Sequence, residues 1–178
     1  QNYVQILTKA LREMGMYPDI LDHHYELNTV KASVLHDIGK IKTPDAILLK
    51  PGRLTDEEFE VMKQHTVAGC EIIDRIIGNV EHEEYVDIAR KIARHHHERW
   101  DGTGYPDGLS GEEIPLCARI MALADVFDAL YQDRCYKKAI RPVSKVFEII
   151  KENSGSQFDP NLTEIFLELQ QEVTDISE

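Results

Sequence analysis

The sequence predicts an all-α protein, a single-domain bundle of about six or seven helices. Two observations lead there. Apolar residues recur at helical spacing through most long segments, while strand-like alternation is scarce. Glycine and proline cluster between those periodic segments. The composition is compatible: 42% hydrophobic and 29% charged residues are ordinary for a folded chain, and 178 residues suffice for one substantial core.

Taken in order, Tyr3, Val4, Ile6, Leu7, Ala10, Leu11 and Met14 predict a first helix over 3–14, ended by Gly15 and Pro18. Residues 16–25 read as a loop, with His23 and His24 as solvated polar surface. A second helix is expected at about 26–38, then an irregular connection over 41–54 containing Pro44, Pro51 and Gly52. Thr55-Asp-Glu-Glu58 is a capping-box signature. The helix it opens should run to about Ile77, its stripe formed by Phe59, Met62, Val67, Ala68, Ile72, Ile73 and Ile76, with His65 close to the stripe. A fourth helix, about 83–97, ends in His95-His96-His97-Glu98. Residues 98–115, rich in Gly and Pro, read as a loop. Helices follow at about 116–130, 142–153 and 160–172, with 171–178 expected as a tail. The first of these is nearly all apolar and therefore a core helix. Asp125 and Asp128 interrupt it.

The net charge of −12 repels nucleic acid, and no Lys/Arg-rich run reverses it locally. No DNA or RNA partner is expected. No apolar run approaches the roughly 20 residues of a membrane span. Cys70, Cys117 and Cys135 lack metal-ligand spacing and read as reduced thiols of a cytoplasmic protein. The chain starts at Gln1 inside a helical pattern, so it is expected to be a piece of something longer, with its first helix truncated.

The chemistry starts at Val34-Leu-His-Asp-Ile-Gly-Lys40. His36 and Asp37 are adjacent, and Lys40 shares their side of a helical turn. Neutral imidazole with carboxylate suits a hydrolytic divalent metal, and a neighbouring lysine suits an anionic substrate. Gly39 permits close approach of backbone or ligand. Asp125 is telling because a carboxylate in a core helix costs several kcal/mol unless paired or metal-bound. Asp128, one turn on, is expected to fix a neighbouring loop. His96 and His97 should diverge by about 100° on a helix, which suits two neighbouring metals better than one tetrahedral site. Asp37 could likewise bridge two ions. His/carboxylate ligands without thiolate point to Fe, Mn or another hydrolytic metal rather than structural zinc. Taken alone, His65 is an ordinary histidine beside an apolar face.

The specificity lies in the combination: His36-Asp37 with Gly39-Lys40, then His65, then His96-His97-Glu98-Arg-Trp-Asp101-Gly-Thr-Gly104-Tyr-Pro106, then Asp125-Val-Phe-Asp128-Ala-Leu130. This resembles the HD-GYP family, a branch of the HD superfamily of metal-dependent phosphohydrolases, over nearly all of residues 1–170. The resemblance implies an HD-like helical bundle. It also implies a cyclic di-GMP phosphodiesterase of bacterial signalling, yielding pGpG, GMP or both, with two or three divalent metal ions. Carried over by position, the metal ligands fall on His36, Asp37, His65, His96, His97 and Asp125. The catalytic lysine is Lys40, beside Asp37, and the phosphate-contacting cations are Arg134 and Lys137. The resemblance further implies contacts between the Gly-Tyr-Pro loop and diguanylate cyclase domains, and an N-terminal receiver or sensory domain in the full chain.

This sequence departs from the family in places. The family's upstream His-x-x-Arg would precede Gln1. Lys42-Thr43 replaces an apolar pair, and Cys135 stands where the family often has proline. Two alternatives stay open: a mixed cyclic GMP-AMP dinucleotide or linear pGpG as substrate, and a module that binds nucleotide or partner proteins without turnover.

Overall fold

The computed structural model describes residues 1–77, 83–132 and 139–177. Among these, regular structure is helical: ten α-helices, three 3-10 turns and one isolated bridge between Ser154 and Phe158. Helix α1 (Asn2–Glu13) turns Val4, Leu7 and Leu11 inward, as its spacing predicts. Helix α2 (His23–Ala32) begins earlier than expected, because the Asp22 side chain caps it by accepting from the Tyr25 N–H. His23 and His24 therefore lie in its first turn, and both are exposed.

The second helix also stops sooner than the sequence suggests. After Ala32 the chain tightens into 3-10 turns at Ser33–Leu35 and Ile38–Lys42. The reason is tertiary. Gly39 is pressed against helix α5 (His65–Ile77), where an added Cβ would lie 1.8 Å from the His65 carbonyl oxygen and 2.5 Å from the Gly69 nitrogen. The backbones meet too closely for any side chain at 39.

The connection at 41–54 contains a short helix, α3 (Asp45–Leu48). Thr55 and Glu58 form the expected capping box at the start of α4 (Asp56–Lys63). The single helix expected over 55–77 is two, broken at Gln64, so His65 opens α5 instead of sitting mid-helix. Helix α6 (Glu83–His95) buries Val86, Ala89, Ile92 and Ala93. Helix α7 (Leu116–Tyr131) is the core helix, buried from Leu116 through Ala124. Around it lie α1, α6, α8 (Val143–Glu152) and α9 (Pro160–Glu168). On α7, Phe127 meets the rings of Tyr3, Phe147 and Phe166. Residues 170–177 are not a tail. They form α10 (Gln170–Ser177), whose Val173 is fully buried in the core.

A buried ion pair ties the loops together. Arg119 Nη1 lies 2.6 Å from Asp159 Oδ2, and the guanidinium sits between the rings of Tyr17 and Trp100. Asp159 also caps α9 by accepting from the Asn161 and Leu162 N–H groups. No helix of the described residues is long and apolar enough to cross a membrane.

Candidate metal centre

Four segments converge on Asp37. The turn at 36–40 supplies His36, Asp37 and Lys40, the start of α5 supplies His65, the turn after α6 supplies His96 and His97, and α7 supplies Asp125. Asp37, His65, His96 and His97 each offer a ligand atom within 4.8 Å of the others, a group suited to hold a metal ion. His36 and Asp125 stand alongside, with His36 Nε2 at 3.3 Å from Asp37 Oδ2 and 3.7 Å from Asp125 Oδ1.

The two carboxylate oxygens of Asp37 face different neighbours. Oδ2 accepts from the Lys40 ammonium at 2.6 Å and faces His36. Oδ1 faces His65 Nε2 at 3.5 Å and His96 Nε2 at 3.8 Å. That oxygen is buried without a hydrogen-bond partner, an arrangement that costs about 1–3 kcal/mol unless something cationic meets it.

The imidazoles are oriented for the same purpose. His36 Nδ1 lies 2.8 Å from the Ser33 carbonyl, His65 Nδ1 2.7 Å from that of Met62, and His96 Nδ1 2.9 Å from that of Ile92. A carbonyl only accepts, so each Nδ1 carries the proton and donates it. Each Nε2 is turned to the centre, as in metal sites where the outer ring nitrogen is held by a backbone carbonyl. These residues fit a divalent cation.

The electrostatics agree. Burial opposes the charge on His36, yet hydrogen bonds to Asp125 and Asp37 overcome it and push its pKa up to about 10. Burial works against ionised Asp37 as well, but His36, His96 and Lys40 hold its carboxyl far below the usual range. Burial, helped by His96 and Lys40, drives His65 down against the pull of the Met62 carbonyl and Asp37, and burial with His96 and His65 nearby drives His97 to about 2. His65 and His97 are thus held as neutral imidazoles, while His36 carries positive charge between the ionised carboxylates of Asp37 and Asp125.

His96 and His97 do not diverge as a continuing helix would require. Helix α6 ends at His95, and the turn after it brings the two rings to 4.1 Å between centroids. Both belong to the group around Asp37, which corrects the expectation that their side chains point apart. His95, by contrast, faces Glu98 and Asp107. That trio is already occupied: Arg94 donates two 2.7 Å bonds to Asp107, and Glu98 accepts from the Asp107 and Leu109 N–H groups. It clasps the loop.

The glycine-rich loop is fixed from both sides. The Trp100 and Asp101 N–H groups donate to the carbonyls of Gln157 and Ser156. A Cβ on Gly104 would meet the Arg99 nitrogen at 2.4 Å, so only glycine fits there. The loop lays Tyr105 on His97, with ring centroids 4.9 Å apart and planes 29° from parallel. Phe59 on α4 packs edge-on to Tyr105, and Lys63 Nζ lies over both rings. Lys63 and Gln157 are neighbours of the site that sequence patterns do not single out. Arg134, Lys137 and Cys135 lie outside the described residues.

The family model for the HD domain matches residues 2–162. The chain is 46% identical over 180 residues to a cyclic di-GMP phosphodiesterase of Vibrio cholerae, covering 99% of this chain and 36% of that protein. It is 40% identical over 164 residues to a 3′3′-cGAMP-specific phosphodiesterase 2 of the same organism, covering 89% of this chain and 30% of that one. The chain therefore spans about a third of the length of these relatives. Among solved structures, a cyclic GMP-AMP specific phosphodiesterase of V. cholerae superposes with a TM-score of 0.66 at 19% identity, over 98% of this chain and 46% of that one.

Proposed function

The chain belongs to the HD-domain family, and from that premise we propose that it is a metal-dependent phosphodiesterase cleaving cyclic di-GMP to pGpG, GMP or both. The observation that carries this reading is Asp37, whose Oδ1 is buried without a partner opposite two imidazole nitrogens. In this reading His36, Asp37, His65, His96, His97 and Asp125 hold two or three divalent ions, Fe or Mn. Bound ions would supply Lewis acidity and a nucleophile from water near neutral pH.

The chain's own residues do the rest. Asp37 sits between the two sets of ligands and fixes their spacing. Lys40, held 2.6 Å from Asp37, offsets charge on the phosphoryl oxygens and gives a proton to the leaving 3′ oxygen. Tyr105 covers one side of His97 and keeps water from it. Arg134 and Lys137 are proposed to take the second phosphate. The proposed setting is the bacterial cytoplasm, under a receiver or sensory domain and in contact with diguanylate cyclase domains.

The test is metal content with product analysis on protein prepared anaerobically. Asp37→Ala should lose both metal and turnover; a fully active, metal-replete Asp37→Ala protein would refute the reading. A mixed cyclic GMP-AMP substrate is the second reading, supported by the similarity to a cGAMP-specific relative. Parallel turnover of both dinucleotides separates the two.

A further inference from the structure

A cavity of about 270 Å³ opens beside His96 and His97. This is at the small end for ligand pockets, room for one ring system and not for a whole dinucleotide. Its apolar wall contains Phe59, Tyr105 and Val126, and its polar wall contains Arg99 and Gln157. Aromatic side chains with a few polar groups around a cavity of this size suit a nucleobase.

Arg99 is held in place before any ligand arrives. Its Nε donates to Thr103 Oγ1 at 3.0 Å and faces Asp101 Oδ1 at 3.4 Å, and Nη2 lies 3.3 Å from Asp101 Oδ2. Asp101 is fixed in turn by the Thr103 hydroxyl and backbone N–H. Nη1 makes no hydrogen bond recorded among the described residues. Gln157 is anchored through its backbone, which accepts from the Trp100 N–H at 3.2 Å and donates to the Asn153 carbonyl at 3.0 Å.

We propose that this cavity is a purine subsite in which Arg99 selects guanine over adenine, with Gln157 as an adaptable second contact. The inference rests on the cyclic dinucleotide reading and names the base it prefers. A guanidinium only donates. Guanine presents two acceptors, O6 and N7, on one edge, whereas adenine sets an amino donor beside N7. Arg99 therefore has two partners on guanine and a donor facing a donor on adenine. A carboxamide both donates and accepts, so Gln157 pairs with either purine and leaves the choice to Arg99.

The experiment uses metal-loaded protein and two readouts. One is kcat/KM on cyclic di-GMP, 3′3′-cGAMP and cyclic di-AMP. The other is binding of GMP against AMP, followed by NMR at the Arg99 Nε–H and the Gln157 carboxamide. Wild-type protein should prefer GMP and shift both signals. Arg99→Ala should cut the preference for cyclic di-GMP over cyclic di-AMP by about 10–100-fold with metal content unchanged. Arg99→Lys should not restore it, because an ammonium lacks the fork. Gln157→Ala should weaken both nucleotides alike. Equal loss on all three dinucleotides in Arg99→Ala, or a wild-type protein that binds GMP and AMP equally, would overturn the proposal. Were the wild type to cleave none of the dinucleotides, the phosphodiesterase reading would fail. A GMP preference abolished in Arg99→Ala would then still support the subsite, and its absence would sink it.

Discussion

Replacing Gly39 by alanine tests how the centre is assembled. The new Cβ would stand 1.8 Å from the His65 carbonyl oxygen, 2.5 Å from the Gly69 nitrogen and 2.8 Å from the His65 carbonyl carbon. All three are backbone atoms of α5, so no side-chain rotation relieves them. The gap to the oxygen must open to about 3.4 Å, where ordinary contact begins. Overpacking in a core costs about 1–3 kcal/mol; with rigid backbone on both sides, about 3 kcal/mol is expected. At a urea m-value of about 2 kcal/mol/M, the unfolding midpoint should fall by about 1.5 M. The turn that retreats holds Asp37 and Lys40, and His65 lies across the gap. Ligand distances in a working metal site are held to about 0.2 Å, so metal content should collapse as well. Gly69→Ala is the control. Its Cβ would meet Ala93 Cβ at 3.3 Å and the Gly39 nitrogen at 3.4 Å, which small shifts absorb, and helix propensity favours the alanine by about 1 kcal/mol. An unchanged midpoint and full metal content in Gly39→Ala would refute the reasoning.

Further outcomes follow from other contacts. Lys40→Ala should lose turnover by several orders of magnitude while keeping its metal, checked by metal analysis beside kcat; loss of metal would make Lys40 structural. Arg119→Ala strands the buried Asp159 carboxylate and should cost about 3–5 kcal/mol, read as a Tm lower by about 10 °C for a chain of this size. Asp101→Asn should show a pH-dependent stability difference. The Thr103 hydroxyl and N–H, with Arg99, hold the Asp101 carboxyl down at about 2, against an ordinary 3.8. The stabilisation is therefore complete above about pH 4 and disappears as pH falls through about 2. Urea midpoints of wild type and Asp101→Asn should converge over that interval, and an undiminished gap at pH 2 would contradict the assignment.

Much of this was legible in the chain because the informative residues are chemically conspicuous. Asp125 in an apolar helix has few explanations, and the six expected ligand residues do meet around Asp37. The capping box at Thr55 is a local signal and appears where it was expected. What escaped depends on distant partners. The early end of α2 is dictated by Gly39 against α5, a contact between segments that periodicity does not connect. The convergence of His96 and His97 depends on α6 stopping at His95. The Arg119–Asp159 pair joins residues forty positions apart, which no local pattern connects. Gln157 has no local signature; its place beside the centre comes from the backbone bonds that it and Ser156 each accept from the glycine-rich loop.

The placement of Asp37 has a mechanical side. Its neighbours come from the turn after α2, from α5, from α6 and, through His36, from α7. A cation seated there would cross-link four stretches of backbone in one step, closing loops of dozens of residues that the unfolded chain leaves open. At a free concentration a hundred times its Kd, such an ion adds about 2.7 kcal/mol to the folded state. Chelation would then loosen the bundle as well as silence its chemistry, so that the supply of metal would set part of the fold's stability.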